Sequence, residues 1–323
     1  MINNPTTSTN HYLQSDAWAL SRSKSPWKIL DLQIDSETVR VYLRRTPLGL
    51  VVHILGYYPD QDHILLLTEA LQRRFPRAIT CKLETCAPYD KSLERVLIAH
   101  GWMPARTTQY THTIQLDLTK SEAILRSELK KRARNEINRA INNQVKVIEK
   151  SPSDVQLEVM YKMLNNTATR KSFNVHDRSF IFTFWRSMRE KGKLRLFFAE
   201  QHDVTLAGAM IAVSQDGKKA WYKEGASTTS QPGLNAPRYL LWKVALMLKA
   251  SGIEVFDLGG IPDPATYGHS AMKGVFIFKT AYSPEITRMM PAYELPLNAK
   301  YKLWPKLELA LRKYAQSRHT NWF

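Results

Sequence analysis

Cysteine is scarce: Cys81 and Cys86 are the two in 323 residues, with no second pair to complete a tetrahedral zinc site. A chain this long can bury most of its apolar surface without disulfide or metal staples. Both are therefore expected as reduced thiols in or near a strand, as suits a cytoplasmic protein. The nine histidines are scattered without HExxH or a similar spacing. There is no GxSxG elbow and no P-loop. The most apolar run, PLGLVVHILGYY, falls far short of the roughly 20 residues that span a bilayer. The opening MINNPTTSTNHYLQ lacks the basic-then-apolar order of a signal peptide. The expected location is cytoplasmic, with peripheral contact at the membrane left open.

Negative charge is also short, with 29 Asp and Glu against 46 Lys and Arg and a net charge of +17. Such an excess implies acidic partners: nucleic acid, a phosphorylated substrate or an anionic membrane. From Lys120 to Arg195 there are 18 basic residues against 8 acidic ones. Within that segment SELKKRARNEINRAINNQ, Ser127 to Gln144, reads as one helix. Leu125, Leu129, Ala133, Ile137 and Ile141 recur every fourth residue on one face. Lys130, Lys131, Arg132, Arg134 and Arg139 fall on the rest, with only Glu128 and Glu136 to neutralise them. Two readings stay open here. The face is either simply solvated, or it grips the phosphates of a polyanion without reading bases.

The remaining pattern is α/β. VRVYLRR, PLGLVVHILG, a helix DHILLLTEALQRRF stopped by Pro76, and AITCKLETC form a first series. LRLFFAEQ, LAGAMIAVSQ after a turn at HDVT, KKAWYKEGAS, the helix NAPRYLLWKVALMLKASG and IEVFDLGG repeat the order. The expectation is two α/β domains with a mixed sheet in each, residues 1–147 and 148–295, with a C-terminal helix at 296–323 as a candidate to complete the first.

The β-β-β-α-β order suits an acetyltransferase of the GNAT type, but the glycine-rich loop that would hold coenzyme A is missing. EGASTTSQPGLNAPRY stands in its place. The most pointed local signal is FDLGGIPDP, which puts Asp257 and two glycines at a strand's C-terminal edge, where α/β sites gather. A turn demanded by topology explains it equally well. Lys279 closes the apolar run VFIFK. A lysine in a core strand is costly, so it is expected to end the strand or to meet an anion.

Taken in order, YLQSDAWALSRSKSPW, RRTPLG, HGWMPARTTQYTHTIQLDLTKSEAILRSELKKRARNEINRA, WYKEGAS, NAPRYLLW, FDLGGI and KGVFIFK resemble the Fem-type (FemABX) aminoacyl transferases of peptidoglycan bridge formation. The resemblance implies two GNAT-like acyltransferase domains, here without the coiled-coil arm of larger members. It implies aminoacyl-tRNA as donor, its phosphates held by Lys130, Lys131, Arg132, Arg134 and Arg139, and UDP-MurNAc-pentapeptide or lipid II as the amine acceptor, without a cofactor. Residue by residue it places Phe278 and Lys279 where the aminoacyl end meets the acceptor, with the Lys279 ammonium facing the oxyanion. It places Lys218 and Tyr222 on the muramyl nucleotide, Arg22 on substrate phosphates, and Phe256 where many members carry tyrosine. Asp257 is a candidate general base or a structural hydrogen-bonding residue. Two other readings remain: transfer to a different amine, such as a protein N-terminus or small peptide, and a non-catalytic RNA- or membrane-binding module.

Overall fold

A computed structural model describes residues 10–23 and 25–317. The chain opens with α1 (Asp16–Ser21), capped by the Ser15 hydroxyl, and three antiparallel strands, β1 (Lys28–Ile34), β2 (Glu37–Thr46) and β3 (Gly49–Leu55). Then come α2 (His63–Arg74), β4 (Thr80–Glu84), α3 (Lys91–Ala99) and β5 (Met103–Ala105). Next are β6 (His112–Asp117), α4 (Glu122–Glu128), α5 (Lys131–Asn142), β7 (Lys146–Lys150), α6 (Asp154–Lys171) and α7 (Arg178–Glu190). A second antiparallel trio follows, β8 (Leu194–Gln201), β9 (Val204–Val213) and β10 (Lys219–Ser227). The chain ends with α8 (Ala236–Ala250), β11 (Val255–Ile261), α9 (Lys273–Lys279), β12 (Thr287–Arg288), β13 (Ala292–Pro296) and α10 (Trp304–Ser317).

The strands form two mixed sheets, in the orders β1-β2-β3-β4-β13-β5 and β12-β6-β11-β10-β9-β8-β7. In each, three antiparallel strands lead through a helix to a fourth strand that pairs parallel with the third, β3 with β4 and β10 with β11. This is the repeated order legible in the sequence. The β8–β9 turn shows the local chemistry: His202 and Asp203 both take positive φ, as a two-residue hairpin with the sheet's twist requires.

The compact units differ from the expected division at 147/148 and 295/296. Described residues up to Thr111, with those from Arg288 onward, form one unit, and His112–Thr287 form the other. The reason is pairing: β6 is the antiparallel neighbour of β11, while β13 is hydrogen-bonded between β4 and β5. The first unit's core includes Val39, Val41, Ile54, Leu67, Leu83 and Trp102. Cys81 is buried on β4, and both cysteines are free thiols.

In the central unit α5 and α8 cover one sheet face, with Ala133, Ile137 and Ala140 packed among Phe197, Ala209, Leu241 and Phe256. Helices α6 and α7 cover the other face, where Met160 lies against Gly208. The helix expected from Ser127 to Gln144 is broken. Leu129 and Lys130 are extended, separating α4 from α5, because the Lys130 amide turns away to the Ala281 carbonyl. Ile141 is consequently exposed and Ala140 takes the buried place. KGVFIFK, expected as a strand, is the helix α9. No helix among the described residues is long and apolar enough to cross a membrane.

Candidate active site

The central sheet opens between its two parallel strands. Pairing of β10 with β11 runs from Lys219↔Val255 to Trp221↔Asp257 and stops. Immediately beyond, each strand breaks register with its other neighbour: β10 between Tyr222 and Glu224, and β11 between Asp257 and Gly260. A bulge bends the strand that carries it, and two side by side turn neighbouring parallel strands apart. In the other unit β3 and β4 stay paired from Val51↔Thr80 to Leu55↔Glu84, and Gly56 N–H still reaches the Glu84 carbonyl.

Asp257 pins the β11 bulge. Fully buried, its carboxylate accepts from Thr113 Oγ1 at 2.6 Å, Gln115 Nε2 at 3.0 Å and the Gly259 amide at 2.8 Å. Gly259 adopts φ +75°, a left-handed conformation natural to glycine, and a Cβ there would lie 3.4 Å from both Lys279 Nζ and the Tyr222 carbonyl. Both Asp257 oxygens are thus engaged in holding the backbone, which argues for the structural role rather than that of a general base.

Lys279, the last residue of α9, brings its ammonium to this opening and donates to the Gly260 carbonyl at 2.9 Å. Burial draws its pKa from 10.5 down to about 8, and the Asp257 charge opposes the fall. A partly desolvated ammonium beside a glycine-lined gap is well suited to meet a developing oxyanion. Phe278 precedes it, its ring 4.3 Å from the Arg238 guanidinium and edge-on to Tyr282.

Arg238, on the first turns of α8, organises this neighbourhood. It is buried, pairs with Glu136 of α5 at 2.9 Å, and donates to the Phe278 carbonyl, while the Tyr282 hydroxyl donates to the Arg238 carbonyl. Burial pushes the Glu136 carboxyl up, but hydrogen bonds from Arg132 and Arg238 more than offset this and hold it low. Lys130 and Thr280 meet at 3.4 Å. The helix bearing Lys279 is therefore tied to both α8 and the start of α5. Sequence reasoning passed over Arg238, Thr113 and Gln115. Their signals were an arginine in the first turns of the apolar helix NAPRYLLW, and polar residues alternating with Ile114 and Leu116 in THTIQLD.

The other expected site residues are dispersed. Tyr222 lines the opening; its ring covers Gly225, where a Cβ would fall 1.7 Å from the tyrosyl oxygen, and burial pushes its pKa up. Phe256 is fully buried in the core. Lys218 lies at the opposite end of the parallel pair from Gly260, exposed and bonded to Glu254. Arg22 belongs to the other unit, over the Trp18 ring at 5.0 Å, and burial draws its pKa to about 10. On α5 and its cap, Lys130, Lys131, Arg132 and Arg139 are exposed, whereas Arg134 folds back onto the carbonyls of Ser127 and Leu129.

Comparison with known proteins fits this geometry. Residues 183–308 match the FemAB family. The chain carries a Fem-type segment. That segment includes Tyr222, Arg238, Asp257 and Lys279, and leaves out α5. Among solved structures, a crystal structure of FemX is similar at TM-score 0.78 and 15% identity, over 94% of this chain and 95% of that one. The C-terminal domain of a putative lysylphosphatidylglycerol synthetase from Agrobacterium fabrum is similar at TM-score 0.60 and 12% identity, over 92% and 91%. An L-PGS from Bacillus licheniformis gives TM-score 0.59 and 12% identity, over 88% of each chain. These likenesses show a shared fold across both units. No curated protein matches the sequence.

Proposed function

We propose that this protein transfers an aminoacyl group from aminoacyl-tRNA to an amine of a peptidoglycan precursor's stem peptide. The observation that carries the reading is the Lys279 ammonium, half-buried at the opening between β10 and β11. In the reaction the acceptor nitrogen attacks the ester carbonyl, a C–N bond forms and the C–O bond to the ribose breaks. The amine's proton leaves and the ribose oxygen gains one. Lys279 donates to the carbonyl oxygen as it becomes an oxyanion, Tyr222 lines the acyl path, and Arg238 holds the end of α9 in place. Support comes from the FemAB match over the residues that build this opening and from the excess of positive charge, which suits two polyanionic substrates.

The test incubates the protein with radiolabelled aminoacyl-tRNAs and, in parallel, UDP-MurNAc-pentapeptide, lipid II and phosphatidylglycerol vesicles. Label on either precursor is the expected result. Label on the lipid vesicles alone, or on none of the three, overturns the acceptor assignment.

A further inference from the structure

The basic character of the central unit is not confined to α5. On the opposite face of the sheet, α6 and α7 are joined by Ser172–Asp177, a turn begun by Ser172 in the left-handed region. Phe173 stands 44% exposed on it, and Arg170 and Lys171 at the end of α6 and Arg178 at the start of α7 are exposed too. His176 stacks on Phe180 with ring centroids 4.2 Å apart, and Arg178 lies 4.2 Å over Phe182. Two carboxylates adjoin. Asp177 is engaged in capping α7 through the Phe180 amide, and Glu158 pairs with Arg178 at 2.7 Å.

The turn is anchored to the end of β10. Thr167 and Arg170 both bond the carbonyl of Ser227, the last residue of β10. Lys279 bonds the Gly260 carbonyl near the end of β11, the parallel neighbour. Turn and ammonium therefore rise from the same edge of the sheet, one beyond each of the two separated strands.

An exposed aromatic ring on a turn whose flanking helix ends carry exposed cations is what a single-stranded nucleic acid uses: the ring stacks a base of any identity while the cations meet phosphates. A duplex offers no free base face to such a ring. We infer that Phe173, with Arg170, Lys171 and Arg178, docks the unpaired 3′ end of an RNA and leads it toward Lys279. This rests on the transfer reaction proposed above. It assigns the single-stranded end to the α6–α7 turn and not to α5.

The experiment measures binding of a fluorescein-labelled ACCA ribotetranucleotide and of a blunt RNA duplex by anisotropy, and the KM for aminoacyl-tRNA. Phe173→Ala is expected to weaken the tetranucleotide about five- to a hundredfold and leave the duplex unchanged. Phe173→Tyr keeps wild-type binding, and Lys131→Glu spares the tetranucleotide. Equal tetranucleotide affinity of Phe173→Ala and wild type overturns the inference. So does a Phe173→Ala defect seen only with anionic phosphatidylglycerol vesicles. Transfer that proceeds with an unchanged KM in Phe173→Ala removes the docking surface and leaves the reaction standing. Absent transfer with Phe173-dependent tetranucleotide binding does the reverse.

Discussion

Replacing Lys279 by methionine keeps the length of the side chain and removes its charge. Two magnitudes follow from the structure. At pH 7, with a pKa of about 8, the group is mostly an ammonium in the free protein. If that ammonium meets the oxyanion, its loss removes one preorganised donor, worth about 10² to 10³ in kcat. The second magnitude concerns stability. The folded pKa lies below the ordinary 10.5, so the unfolded chain binds more protons between pH 8 and 10.5, and wild-type stability rises with pH across that window. At 1.36 kcal/mol per pKa unit the full effect is about 3 kcal/mol. Below pH 8 that burden is constant, and the methionine variant escapes it while losing a hydrogen bond worth about 1 kcal/mol. The assay pairs single-turnover transfer with denaturant unfolding at pH 7, 8.5 and 10. Expected are a rate lower by at least a hundredfold, a variant at least as stable as wild type at pH 7, and an advantage that shrinks by pH 10. Wild-type turnover should fall as pH passes 8 and the ammonium is lost. A rate that instead climbs through pH 8, or a variant within threefold of wild type, would refute the oxyanion role.

Three further outcomes are expected. Asp257→Ala leaves the donors of Thr113, Gln115 and Gly259 without their acceptor and should cost about 3 kcal/mol or more in urea unfolding. Arg238→Met removes one of the two arginines on the Glu136 carboxylate, leaving Arg132, and also the donor to the Phe278 carbonyl; it should cost about 1–3 kcal/mol, with Glu136→Gln recovering part of it in a double-mutant cycle. In the N-terminal unit, Lys82 is buried between Glu294 at 3.1 Å and Glu308, so Lys82→Met should lower thermal stability by a similar amount while Lys279-dependent turnover per folded molecule is unchanged.

What could be read from the chain was whatever its neighbours in sequence decide. Helix α8 announces itself with Pro237 near its start and Gly252 after its end, and the β8–β9 turn with His202 and Asp203. What could not be read was decided at long range. The four-residue spacing of Leu125, Leu129, Ala133 and Ile137 runs through the break at Lys130, which exists because the Lys130 amide is claimed by Ala281. VFIF has the composition of a strand, yet it is helical where Phe276 stacks on Tyr267 at 3.9 Å. At the candidate site, Lys279 and Phe278 were proposed through family resemblance, and Arg238 was passed over because its partners lie on two other helices.

The opening between β10 and β11 is a matter of counting. Each strand holds one residue in excess of what its neighbour's ladder needs, Lys223 on β10 and one of the pair Leu258 and Gly259, which together face Ile114, on β11. Side chains along both strands can drift freely so long as that surplus is kept, which is one way for chains 15% identical to share a fold. Loss of a single residue is another matter. Deleting Lys223 lets β10 continue its ladder past Trp221, and would shut the gap more surely than any substitution of the residues that line it.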